Sequence, residues 1–284
     1  MKIKSFHIIG SAAVLFWIFL ESCSPKPIPI YLDEVESLPV IWSQAIPNNT
    51  TLIYFSRSFS SLEFQENDST SADSLISQFL VADGLVTITH GGETDTLIQV
   101  SDGFFVGFGT ELIPGDDYTL SAVDYLTGKS ITATTKVYAA VPVDTVTYSL
   151  NDTSSVDLTV SFVDPPGANW YAIHYYSQYA NPLELDDPFA ADNIVETDVI
   201  SDLELNSANV TISKTLDYLE SDTLFVSLNN ISQEYYDYLS QRERGGTIYN
   251  QLIQEPINYV SNIQNGFGMF SLHFPSVKTV ILED

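Results

Sequence analysis

From Pro39 to about Tyr138 the chain alternates short apolar runs with polar turn clusters, and the runs carry the β-branched and aromatic residues of strands. Thr51–Phe55, Leu85–Thr89, Thr96–Val100, Phe104–Val106, Tyr118–Val123 and Ser130–Thr135 are the predicted strands. His90-Gly91-Gly92 supplies positive-φ residues for a tight turn, and Pro114–Asp117 and Leu126–Lys129 mark two more. Short strands at this spacing, without helical periodicity, predict an antiparallel sandwich. The polar stretch Gln65–Ser74 reads as a loop between them.

Val141-Pro142-Val143-Asp144 reads as a junction, because Pro142 cannot donate to a ladder. A second β region follows with Thr145–Tyr148, Val156–Phe162, Trp170–Tyr176 and Thr223–Leu228, and Asp164-Pro165-Pro166-Gly167 is the turn before Trp170. Pro182–Asn206 is acidic and reads as a large irregular loop. One helix is expected near residues 232–244: Ser232 can cap it, Tyr235, Tyr238 and Leu239 share a face, and Gly245-Gly246 end it. Arg242 and Arg244 then fall in its last turn, where the helix dipole favours cations. The fold class is therefore all-β, with two sandwich-like domains at 39–140 and 141–284. The first is immunoglobulin- or prealbumin-like, and the second is mainly β with one short helix.

The N-terminus has a different pattern. Lys2 and Lys4 precede an apolar run from Ile8 to Leu20, which is the shape of a secretory signal and short for a membrane span. Leu20-Glu21-Ser22-Cys23 follows, and it resembles the lipobox of bacterial lipoproteins. That resemblance implies cleavage before Cys23, acylation of its thiol and new amino group, and a lipid anchor at the first mature residue. Residues 23–38, with Pro25, Pro27 and Pro29 and then Asp33, Glu34 and Glu36, read as an extended tether.

Composition narrows the partners. The formal net charge is −27, and removing residues 1–22 takes away two lysines and one glutamate, leaving the chain slightly more acidic. Such a surface repels nucleic acid and anionic headgroups, so no nucleic-acid partner is expected. With 44% hydrophobic and 12% aromatic residues the chain can bury a real core. Cys23 is the single cysteine, so no intramolecular disulfide is possible and packing alone must hold the fold.

The chain offers little to catalysis. His90, His174 and His273 lie beyond the signal region, and none has a partner at zinc-ligand spacing. There is no Gly-rich phosphate loop and no nucleophile-elbow serine. No enzymatic activity and no cofactor are expected. Asp116-Asp117 and Asp186-Asp187 could hold calcium, although neither has the spacing of a dedicated loop. Trp170, Tyr171, Tyr175, Tyr176 and Tyr179 alternate across both faces of one strand and its exit. One face must be core; the other is buried by a neighbouring element or exposed for binding, where Tyr175 and Tyr179 would be contact residues.

A family resemblance covers nearly the whole mature chain. Asp164-Pro165-Pro166 before Trp170-Tyr171, Asp186-Asp187-Pro188-Phe189, Ser232–Leu239 and Ser261–Phe270 occur in that order, after Pro114-Gly115-Asp116-Asp117-Tyr118-Thr119-Leu120. This arrangement resembles the Bacteroidota outer-membrane lipoproteins catalogued as domain of unknown function 4249. The resemblance implies an all-β, surface-anchored accessory protein that partners a TonB-dependent outer-membrane receptor in nutrient capture. A free-standing adhesin or glycan-binding lipoprotein, or a surface hydrolase, are the rival readings. The segment Asn262…Asn265-Gly266-Phe267-Gly268 is its most specific part. Read from its residues, it is first a tight turn or bulge and second a binding loop through Asn262, Asn265, Gly266 and Phe267.

Overall fold

Strands β1 (Pro39–Ile46), β2 (Thr50–Arg57), β3 (Gly84–His90), β4 (Glu93–Thr96), β5 (Ile98–Ser101), β6 (Phe104–Phe108), β7 (Asp117–Asp124) and β8 (Ser130–Lys136) form the first sandwich. The coordinates are a computed structural model that describes residues 36–46, 50–58, 77–151, 155–177, 194–205, 208–217, 223–245 and 259–282. β7 and β8 alternate between inward and outward positions, so Tyr118, Leu120, Ala122, Ile131 and Ala133 enter the core. Ile41, Ile53, Phe55 and Phe105 come to meet them from the facing sheet. The expected Gln65–Ser74 loop lies outside the described residues.

Gly91 (φ 58°) and Gly92 (φ 88°) make the two-residue turn that joins β3 to β4, as their lack of a side chain allows. The run Thr96–Val100 is two strands rather than the one expected. β4 pairs with β3 in one sheet and β5 with β6 in the other. At the crossing, Leu97 buries its side chain in the core and donates its N–H to the Val86 carbonyl at 2.9 Å. One continuous stretch thereby closes one side of the sandwich.

The sheets are also joined by charge. Arg57 of β2 donates through Nε and a terminal nitrogen to Asp124 of β7, at 2.6 and 2.8 Å. Burial alone would raise the Asp124 pKa, but hydrogen bonds from Arg57, Thr127 and the Leu126 N–H outweigh it and hold the carboxyl at about 2.

The second sandwich has β9 (Val143–Leu150), β10 (Ser155–Val163) and β13 (Asn209–Asp217) in one sheet, ordered β13-β10-β9. The other sheet is β12-β11-β14-β17, built from β11 (Trp170–Ser177), β12 (Ile194–Ser201), β14 (Thr223–Ile231) and β17 (Pro275–Ile281). Val156, Leu158, Val160 and Phe162 face Tyr171, Ile173, Tyr175, Val226 and Leu228 across the core.

The acidic stretch predicted as irregular is in part a strand. β12 pairs along β11 and is followed by a short 3-10 turn, Asp202–Glu204, while residues 178–193 lie outside the described residues. Glu196 and Asp198 are tolerated in β12 because Lys214 of β13 reaches across the open edge to both, bonding Asp198 at 2.8 Å.

Helix α1 (Gln233–Gly245) starts where the Ser232 hydroxyl accepts the Tyr235 N–H at 3.3 Å. All described helical and strand elements place this chain among all-β sandwiches. One feature departs from a division at residue 141. β15 (Ile263–Gln264) and β16 (Phe267–Met269) return to the first sandwich, pairing with β8 and β1. Phe270 and Leu272 also fill the first core. Only from β17 does the chain rejoin the second sandwich.

Candidate functional site

The segment Asn262–Met269 is a latch across the open side of the first sandwich. β15 runs antiparallel to β8 and β16 runs parallel to β1, so the chain crosses from one sheet to the other through Asn265 and Gly266. Asn265 holds φ at 63°, the one non-glycine with positive φ among the described residues. A Cβ on Gly266 would lie 2.5 Å from the Pro39 carbonyl oxygen, and one on Gly268 would lie 1.8 Å from that of Ile41. Both glycines are therefore required by backbone approach. The Asn262 amide copies a strand partner: Nδ2 donates to the Phe270 carbonyl at 2.7 Å and the Phe270 N–H donates to Oδ1 at 2.9 Å. The same Nδ2 reaches the Thr134 carbonyl of β8 at 3.2 Å. Of the four candidates in this segment, only Phe267 projects a large exposed side chain.

Past the latch, the strap 270–274 feeds two interiors by alternation. Phe270 and Leu272 point into the first core, whereas Ser271 and His273 turn the other way. Ser271 pairs with Ser43 of β1: its N–H donates to the Ser43 hydroxyl at 2.6 Å, which donates to the Ser271 carbonyl at 2.9 Å. His273 stacks on Tyr235 of α1, with ring centres 5.9 Å apart and 20° between planes.

Here the two sandwiches meet in a joint. Trp42 and Met269 come from the first, Trp170, Ala172 and Ile231 from the second, and α1 closes it with Tyr235, Tyr238 and Leu239. Trp42 lies 4.8 Å from Tyr238 and 6.1 Å from Tyr235, in tilted and edge-on contacts. Gln241 of α1 accepts the Val260 N–H at 2.9 Å and ties down the chain that leads to the latch. At the margin of the joint, His174 of β11 bonds the Thr197 hydroxyl through Nδ1 at 3.0 Å. Burial, and then the Arg242 charge, lower its pKa to about 4; burial, and then His174, lower that of His273 to about 3.

A family model described as "Domain of unknown function (DUF4249)" matches residues 25–278. The chain belongs to the DUF4249 family. In this DUF4249 protein the segment Asn262–Met269 is a structural latch. The solved structures it resembles include three fibronectin type III domains of chicken CNTN1, at 13% identity and TM-score 0.26, covering 87% of this chain and 67% of that one. A two-domain fibronectin type III segment of chicken tenascin has 14% identity and TM-score 0.23, covering 68% and 90%. A cytokine receptor complex has 9% identity and TM-score 0.26, covering 69% and 86%. At these scores the likenesses carry no argument beyond the β-sandwich already described. No curated protein matches the sequence.

The remaining candidates are placed as follows. Tyr175 is a core residue, not an exposed contact: it is fully enclosed, its hydroxyl donates to Asp198 at 2.9 Å, and burial followed by Asp198 raises its pKa. The opposite face of β11, with Trp170 and Ala172, is covered by α1 and the joint. Cys23, Tyr179, Asp186 and Asp187 lie outside the described residues. His90 bonds Asp116 at 2.7 Å and stacks on Tyr118, and Lys136 pairs with Asp117 at 3.1 Å, so both carboxylates of the Asp116-Asp117 pair already meet bases. Among the described residues, no group of three or more His, Cys, Asp or Glu converges to hold a metal.

Sequence reasoning missed Trp42, Met269 and His273 as a unit. Their one legible signal was the alternation from Met269 to Phe274, which is compatible with a strand of either sandwich.

Proposed function

We propose that this DUF4249 protein is a lipid-anchored outer-membrane binding protein, held by Cys23, that acts as the accessory partner of a TonB-dependent transporter in nutrient capture. The observation that carries the reading is the joint. The family match spans residues 25–278, and within it Ser37–Asp284 forms one compact unit, so two sandwiches present their surfaces as a single body. A tether at 23–38 would hold that body close to its receptor. Association then gains from high effective concentration, and a modest intrinsic affinity suffices. Recognition falls to the outer surface, because aromatic side chains such as Phe105, Phe162 and Tyr171 fill both interiors. The acidic surface would favour cationic or metal-chelated cargo. The protein acts by binding and carries no catalytic step.

The test is a pull-down of C-terminally tagged protein from detergent-solubilised outer membranes, with co-purifying proteins identified by mass spectrometry. A stoichiometric TonB-dependent barrel supports the reading. Recovery of the protein alone, in detergent that preserves comparable complexes, overturns it in favour of a free-standing adhesin or glycan-binding protein.

A further inference from the structure

The joint holds two histidines that burial keeps neutral. His273 is buried against Tyr235, and its Nδ1 is among the buried side-chain atoms that lack a hydrogen-bond partner. His174 is partly covered and faces the Thr197 hydroxyl of β12, the Tyr176 ring of β11 and Ser227 of β14. The charge that acts on His174 is a cation, Arg242 of α1, and a proton on His174 would in turn disfavour one on His273. The acids of β12, Glu196 and Asp198, are engaged on the opposite face of the sheet by Lys214 and Tyr175. A proton arriving at either histidine therefore meets burial and like charge, and among the described residues no carboxylate is bonded to either ring.

These residues also sit where the consequences are largest. His273 is on the strap that runs from the first core to β17, and Tyr235 and Arg242 are on the helix that seals the joint. We propose that the joint is an acid-released hinge, in which protonation of His174 and His273 lifts α1 off the strap while the strap stays anchored in the first core by Phe270 and Leu272 and each sandwich keeps its own core. The two cores are separate clusters, so lifting α1 from the joint exposes Trp42, Trp170 and Met269 without breaching either.

The direction follows from linkage. Exposed histidine titrates near 6.5 and the closed joint depresses both groups, so the open form binds more protons once the pH falls below about 6.5. Closure is fully stabilised above that pH and is lost progressively on acidification toward 4. Each histidine lowers the closed-to-open ratio by up to roughly tenfold per pH unit in that window. This inference is independent of what the protein binds.

Trp42 and Trp170 both lie in the joint, so in a Trp17→Phe background tryptophan emission reports on it alone. Emission and far-ultraviolet circular dichroism are followed from pH 8 to pH 4, for that protein and for one also carrying His174→Gln and His273→Phe. The expected result is a red shift on acidification with the sheet signal retained, and a midpoint at least about one pH unit lower in the variant. An unchanged midpoint overturns the proposal, as does loss of sheet signal together with the red shift. Should the variant not fold, hydrogen exchange of the unsubstituted protein at pH 7.5 and 5, corrected for intrinsic rates, decides the matter. Faster exchange confined to α1 supports the hinge, and uniform or absent acceleration refutes it.

Discussion

Gly268→Ala isolates what holds the latch against the first sandwich. The residue sits at φ 109°, where an L side chain is strained, and alanine there costs about 1–2 kcal/mol in conformation alone. Its Cβ would also lie 1.8 Å from the Ile41 carbonyl oxygen and 2.8 Å from the carbonyl carbon. Backbone cannot rotate aside as a flexible side chain would, so β16 must move away from β1. The register Val40↔Phe267, Ile41↔Gly268, Trp42↔Met269 is then lost, and Met269, 1% exposed, leaves the joint. Forced separation of packed elements costs about 1–3 kcal/mol, and partial loss of a buried methionine adds about 1–2 kcal/mol. The total expected is about 3–7 kcal/mol, a large part of the ~5–15 kcal/mol that a domain has. Gly91→Ala is the control, because it too has positive φ, 58°, but nothing lies within 4 Å of its added Cβ. Its cost should be about 1 kcal/mol. Urea titration of the three proteins, followed by circular dichroism at constant m-value, measures both losses. If the two alanine variants lose the same stability within about 0.5 kcal/mol, the steric account of Gly268 is wrong.

Arg57→Met leaves Asp124 buried without its cation and should cost about 3–5 kcal/mol in denaturant titration at pH 7. Because Asp124 is held at about 2 in the folded protein, its contribution is present above pH 4 and disappears as the pH falls toward 2; the wild-type advantage over Arg57→Met should shrink across that range. Trp42→Ala removes the ring that meets Tyr235 and Tyr238 and should cost about 3 kcal/mol, with the increase in hydrogen exchange concentrated in α1. A uniform increase would show that the joint is not a separate unit. Ser232→Ala removes the cap on the Tyr235 N–H and should destabilise by about 1 kcal/mol, with no change in β-sheet signal.

Strand identity and the helix were legible because their causes are local. β7 and β8 alternate with period two, Gly91-Gly92 meets the dihedral demand of its turn, and Ser232 stands at the right offset from Tyr235. β12 was not legible, since its acids read as loop until Lys214, distant in sequence, is placed beside them. Tyr175 could be read as core or contact from the same alternation, and only the facing sheet decides which face is inside.

The sequence alone determined the all-β class, the tight turns and the family to which the chain belongs, because each rests on residue type at short range. Tertiary structure alone decided that residues 263–274 return to the first sandwich, that Leu97 carries its strand between sheets, and that Trp42, Met269, His273 and α1 form one joint. The return of residues 263–274 and the joint depend on contacts between residues far apart in the chain, such as Ser43 with Ser271. A strand's pattern says which face it will bury, but the partner that covers that face is chosen by the packing of the whole body.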